Sequence, residues 1–196
     1  MTRIIAGSAG GTRLEVPGHG TRPTSDRVRE SLFGALESMD AIDDARVLDL
    51  YSGSGALGLE ALSRGARGAV LVERGRPAAA IIRRNAAAVR KALAAPKGPD
   101  ADRREAVVVE SAVQAYLGRA AGPFDLVFTD PPYDLSDADM TADLVALTPL
   151  LSPDAVVVIE RARRATAPDL DAAGLALIRE RSYGDTALWW AEPAHR

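Results

Sequence analysis

The sequence has no cysteine. That excludes a disulfide framework, a thiolate metal site and a cysteine nucleophile. Histidine is nearly as scarce, with only His19 and His195. A histidine-based metal centre or catalytic triad has too few candidates, so no metal site is expected. Lys91 and Lys97 are the only lysines, so the positive charge is carried by arginine. With so much alanine, that bias reads as the mark of a GC-rich genome and is not by itself a functional signal. No apolar run approaches membrane-spanning length, and Met1-Thr2-Arg3 leads into only two strongly apolar residues. Neither a membrane span nor a secretory leader is expected, which leaves a cytoplasmic, membrane-free protein as the default. Internal repeats and low-complexity tails are also missing.

What is present is ordinary core material. The chain has 196 residues, 47% of them hydrophobic and 26% charged, enough for one domain with a small appendage. The net charge of −3 carries no global signature of nucleic-acid binding. Its distribution is more informative. Residues 1–22 hold Arg3, Arg13 and Arg22 against Glu15 alone, a local balance of +2 on a body of −5. Such a basic arm suits a patch that touches phosphate, and it equally suits a solvated surface.

The chain then reads as an alternation of strands and helices. Two short extended pieces, Arg3–Ile5 and Thr12–Val16, flank Gly7, Gly10 and Gly11, the pattern of a β-hairpin. Thr24 or Ser25 caps an amphipathic helix carrying Val28, Leu32, Ala35, Leu36 and Met39, which runs to about Ser38. Extended segments are expected at Arg46–Leu50, Ala69–Val72, Ala106–Val109, Phe124–Thr129 and Ala155–Ile159. Helical patterns separate them, one opened by Pro77 and one covering about Asp137–Leu150. Residues 96–104 are expected to form an exposed polar loop. Leu175–Ser182 and Thr186–Ala191 flank Gly184-Asp185 as a closing hairpin. Trp189 and Trp190 are neighbours, so on a strand they face opposite sides and both faces must be covered. The expected fold is α/β, Rossmann-like, with a seven-stranded, mostly parallel sheet and an antiparallel C-terminal hairpin strand.

Val47–Gly65 is the stretch around which the rest is arranged. Asp49 stands near the carboxyl end of the Arg46–Leu50 strand, and Gly53-Ser54-Gly55-Ala56-Leu57-Gly58 opens a helix. That spelling matches G-x-G-x-x-G and by itself allows a dinucleotide. Glu73 lies 20 residues after Gly53 at a strand end, where a carboxylate accepts hydrogen bonds from ribose hydroxyls. Asp49 would stand against any pyrophosphate, which is electrostatically unfavourable. It suits a cofactor that carries an amino group and a sulfonium, as S-adenosylmethionine does.

Asp130-Pro131-Pro132-Tyr133 closes the Phe124–Thr129 segment. An exocyclic amino group on a nucleobase is a poor nucleophile because its lone pair is delocalised. A carboxylate (Asp130) and a backbone carbonyl (Pro131) accept its two hydrogens and aim the lone pair at a methyl carbon. Tyr133 offers a face for an extruded base. The motif does not distinguish guanine N2 from adenine N6.

DLYSGSGALGLEALSRGA, the DPPY and RPTSDRVRESLF together resemble the RsmD family over nearly the whole chain. The resemblance implies an S-adenosylmethionine-dependent methyltransferase acting on guanine N2 of 16S ribosomal RNA in the assembled small subunit. It implies that residues 1–20, with Arg3 and Arg13, contact RNA, and that residues 21–196 form the cofactor-binding domain. Arg22, Thr24, Asp26 and Arg27 would close over the methionine end of the cofactor. Asp49 would face its amine, Ser52, Gly53 and Gly55 would cradle it, and Glu73 would hold the ribose. Tyr51 and Arg74 would lie beside them. Ser111 and Ala112 would approach the adenine, although Ala112 lacks the polar side chain often found at that place. Arg161, Arg163 and Arg164 are a second candidate phosphate patch. No feature demands a dimer, so a monomer is expected.

Overall fold

The computed structural model describes residues 2–18, 26–94 and 104–194. Residues 96–103 of the expected polar loop lie outside these. The hairpin strands β1 (Thr2–Arg3) and β2 (Arg13–Leu14) form a separate two-stranded sheet. They are shorter than the sequence suggests. The amides of Ile5 and Ala6 turn away from the partner strand and donate to the Glu60 carboxylate, at 2.7 and 3.0 Å.

After helix α1 (Asp26–Ser38) the α/β unit begins. It comprises β3 (Arg46–Leu50), α2 (Ala56–Arg64), β4 (Gly68–Glu73), α3 (Arg76–Leu93), β5 (Glu105–Glu110), α4 (Val113–Leu117) and β6 (Phe124–Thr129). It continues through α5 (Asp137–Leu147), β7 (Leu151–Ala162), β8 (Leu175–Tyr183) and β9 (Thr186–Pro193). The sheet order is β5-β4-β3-β6-β7-β9-β8, with β9 antiparallel to both β7 and β8. The other four pairings are parallel. This is the expected mixed sheet with its antiparallel closing hairpin. The α5 helix stops at Leu147 and a 3₁₀ turn covers Thr148–Leu150, where Pro149 lacks the amide an α-helix would use. β7 accordingly starts at Leu151, earlier than the apolar run begins.

The side-chain period of two sorts the core onto the two faces of the sheet. On one face Val47, Leu71, Leu126, Phe128, Val158 and Trp190 pack with α1, α2 and α3. On the other, Leu48, Leu50, Val72, Val127, Ile159 and Trp189 pack with α4 and α5. The adjacent tryptophans thus serve opposite cores, as their spacing requires. Phe33 of α1 meets Phe128 of β6 with ring centroids 5.7 Å apart. Each such buried side chain stabilises the fold by roughly 1.5–3 kcal/mol.

The hairpin belongs to the first of these cores through Ile4, Ala9 and Leu14. Gly7, at φ 81°, lies so close to α2 that a Cβ there would stand 2.1 Å from the Ser63 carbonyl oxygen. Ser63 Oγ accepts from the Ala9 amide at 2.9 Å and donates to the Ala6 carbonyl at 2.6 Å. Among the described residues no helix is long and apolar enough to cross a membrane.

Candidate active site

Parallel pairing brings the carboxyl ends of β3, β4 and β6 to one edge of the sheet. Leu50 is in register with Val72 on one side and Thr129 on the other, so Asp49, Glu73 and Asp130 converge there. This edge is where open α/β sheets take their ligands.

The glycine loop is fixed by its surroundings. Gly53 and Gly55 have φ of 55° and 77°, a region that side chains other than glycine adopt at a cost. A Cβ on Gly55 would also stand 3.0 Å from Ile82 and Leu71 side-chain carbons. Gly58 lets α2 close onto Asp49: its amide donates to Asp49 Oδ2 at 2.9 Å. Asp49 is only 2% exposed, and burial, with the Glu73 carboxylate adding to it, pushes its carboxyl up to about 7 against that hydrogen bond. Ser52 Oγ donates to the Asp49 carbonyl at 2.6 Å. Tyr51 holds a left-handed φ of 60° and donates its hydroxyl to Asp143 of α5, which ties the loop across the site. Burial and the Asp143 carboxylate raise the Tyr51 phenol.

Glu73 accepts from two backbone amides, Gly53 at 3.1 Å and Gly75 at 2.6 Å. A carboxylate has about four acceptor sites, so room remains for two further donors such as ribose hydroxyls.

Two cavities lie at this edge. The first, about 500 Å³, is lined by Tyr51, Glu73, Arg74, Ala112, Gln114, Asp130 and Pro132, among others. The second, about 560 Å³, is lined by Tyr133, Ala162, Arg163, Arg164 and Asp185. The four-residue DPPY segment therefore separates them. Pro131 is buried between its neighbours, whereas Tyr133 is 70% exposed. The Asp130 carboxyl is raised well above the usual carboxylate range by desolvation, by Glu160 and by Asp49.

The predicted residues divide by place. Tyr51, Glu73, Arg74, Ala112, Asp130 and Pro132 line the first cavity. Asp49, Ser52, Gly53 and Gly55 form the framework beneath it. Ser111 lies beside Ala112, donating its amide to the Glu73 carbonyl at 3.0 Å. Asp26 and the exposed Arg27 open α1, where Asp26 pairs with buried Arg29 at 2.7 Å. Arg22 and Thr24 lie outside the described residues. Arg3 and Arg13 are exposed and directly opposite in the hairpin register. Sequence reasoning missed Gln114. Its signal was an amide side chain in the first turn of α4, two residues after the apolar Ala112, on the wall of the same cavity.

The match with known proteins covers this whole assembly. Residues 2–192 match the family described as Conserved hypothetical protein 95. Ribosomal RNA small subunit methyltransferase D of Escherichia coli K12 is 37% identical over 186 residues, 94% of this chain and 86% of that protein. The chain belongs to this family, the RsmD family. The putative rRNA methyltransferase YlbH of Bacillus subtilis is 35% identical over 187 residues, 95% of this chain and 96% of that one. The solved structure of the putative methyltransferase yhhF from Escherichia coli shares the fold, with a TM-score of 0.77 and 34% identity. It spans 100% of this chain and 99% of its own. The RsmD-family match includes both the N-terminal hairpin and the closing β8–β9 pair, so neither is an addition to the family's plan.

Proposed function

We propose that the protein transfers a methyl group from S-adenosylmethionine to the exocyclic N2 of a guanine in 16S ribosomal RNA. The carrying observation is the DPPY segment between two cavities, with Asp130 on one and Tyr133 on the other. Membership of a family whose relatives are named as ribosomal RNA methyltransferases supports the substrate class.

The first cavity, at about 500 Å³, suits a ligand of this size and is edged by the acidic groups a cationic cofactor needs. Glu73 takes the ribose hydroxyls. Asp49, beneath the glycine loop, attracts the methionine amine, with Arg74 and Tyr51 on the adjoining wall. Gln114 offers an amide to the adenine on the wall where Ala112 has none. Asp26, Arg27, Arg22 and Thr24 act at the methionine end. When bound, S-adenosylmethionine supplies an electrophilic methyl carbon on a sulfonium.

The chain's own work is to position the nucleophile. Asp130 and the Pro131 carbonyl accept the two hydrogens of the base amine and stabilise positive charge as it develops on nitrogen. Crowding among Asp130, Glu160 and Asp49 is relieved by positive charge in the site, which favours the ionised Asp130 that this role requires. Tyr133 stacks on the extruded base. The exposed pair Arg3 and Arg13 face each other across a hairpin, an arrangement that repels itself until phosphate neutralises it. Residues 1–20 thus serve as the RNA-contacting element and residues 21–196 as the cofactor-binding domain. The protein acts as a cytoplasmic monomer on the assembled small subunit.

Adenine N6 is the competing target, because it too is an exocyclic amine. Labelled methyl transfer to unmodified small subunits, followed by identification of the modified nucleoside, separates the two.

A further inference from the structure

Arg161 lies at the end of β7 and Arg163 and Arg164 just beyond it, and the structure separates their roles. Arg161 has a side chain 8% exposed and is fully engaged. Its Nη1 donates to Asp137 at 2.7 Å and to the Thr166 carbonyl at 3.3 Å, and its Nη2 to the Leu135 carbonyl at 3.3 Å. It holds in place the segment that follows Tyr133. Arg163 and Arg164 are exposed, and neither guanidinium makes an ion pair with a described residue. Both line the cavity of about 560 Å³ that Tyr133 also lines.

The turn that carries them is held by backbone bonds. The Arg163 amide donates to the Asp185 carbonyl of the β8–β9 turn at 2.7 Å, and the Ala165 amide to the Ala162 carbonyl at 2.8 Å. Among the described residues of the lining, Arg163 and Arg164 are the cations and Asp185 the acidic group.

We propose that Arg163 and Arg164 form a phosphate clamp for the RNA strand that carries the target base. The inference rests on the methyltransferase reading above. A nucleotide taken out of its stack presents its base to one wall and its flanking phosphates to another. Tyr133 supplies the first wall. The two guanidinium forks supply the second, each matched in shape to a phosphate and neither paired with a described residue. Holding the phosphates fixes how far the base reaches toward Asp130 and excludes strands that cannot splay a base out here.

The test is the double variant R163A/R164A, assayed for methyl transfer to unmodified small subunits across a salt series. The loss should fall in KM for the RNA substrate, by about tenfold or more. The slope of log(kcat/KM) on log salt should become shallower by about 1.4, at about 0.7 per lost phosphate on a single strand. S-adenosylmethionine binding by calorimetry should match wild type, and R163K/R164K should recover most of the loss. An unchanged KM and slope would overturn the clamp. So would a raised KM with an unchanged slope, which would assign the arginines to a base edge. If wild-type protein itself fails to methylate small subunits, the underlying functional reading falls. If wild type works and the double variant equals it, only the clamp falls.

Discussion

Asp130 and Tyr133 are three residues apart and line different cavities, one beside Glu73 and one beside Arg163. Two consecutive prolines make this possible. Neither has an amide hydrogen to continue the sheet ladder, and each fixes its own φ, so the chain leaves β6 in a stiff, defined direction. Cofactor and base can then approach the same short segment from two sides.

Tyr133 is 70% exposed, so its removal should leave the fold intact. Tyr133→Ala should lower kcat/KM for RNA by roughly 5- to 150-fold, the range of one lost base-stacking contact of ~1–3 kcal/mol. Tyr133→Phe should retain most activity, because the proposed stacking uses the ring and not the hydroxyl. Equal losses in the two variants would argue for a role of the hydroxyl instead.

The N-terminal hairpin calls for point substitutions and not deletion. From composition alone, removing residues 1–20 looks like a clean way to weaken RNA binding. The structure shows that such a deletion would strip Ile4, Ala9 and Leu14 from the core. Arg13→Ala instead removes one of two like charges standing opposite each other. It should raise the Tm of the free protein slightly while weakening RNA binding severalfold and sparing cofactor affinity. Loss of cofactor affinity in parallel would show that the arginine serves the fold.

Glu60 is fully buried and accepts the Ile5 and Ala6 amides together with Arg64 Nε. Glu60→Ala leaves two backbone amides without an acceptor, at about 1–3 kcal/mol each. Thermal unfolding should shift down by several degrees, and hydrogen exchange at Ile5 and Ala6 should accelerate most. Uniform exchange across the chain would mean that the carboxylate does not anchor the hairpin in particular.

Asp49 gives a pH dependence of definite sign. Its carboxyl sits near 7 in the folded chain against 3.8 when unfolded, so folding favours the protonated form. The contribution is fully present below the unfolded value and is lost as pH rises to about 7. Asp130, raised by burial and neighbouring carboxylates, acts in the same direction. The Tm of the free protein should therefore fall between about pH 4 and 7, and Asp49→Asn should make that fall shallower. Identical slopes in the two proteins would remove Asp49 from the account.

Much of this was legible in the residues. Strand and helix periods placed β3, β6 and the DPPY to within a residue or two, because central strands are apolar throughout and prolines mark their ends. Trp189 and Trp190 announced a strand covered on both faces. Contacts between distant segments were not legible. Nothing local says that Arg161 is spent on Asp137, that Arg3 stands opposite Arg13, or that Gln114 lines the cavity where Ala112 brings no polar group. Glu60 and Ser63 read as ordinary helix residues until the hairpin amides reach them from more than fifty positions away.

Asp130 is proposed to aim a guanine amine at the methyl donor. The most direct measurement is labelled methyl transfer to unmodified small subunits by wild type and Asp130→Ala, with the modified nucleoside identified by mass. Wild type should place one methyl on guanine N2. Asp130→Ala should lose roughly 10²–10³-fold or more in rate while binding S-adenosylmethionine nearly as well. Full activity in Asp130→Ala, or a methyl on adenine N6, would contradict the account.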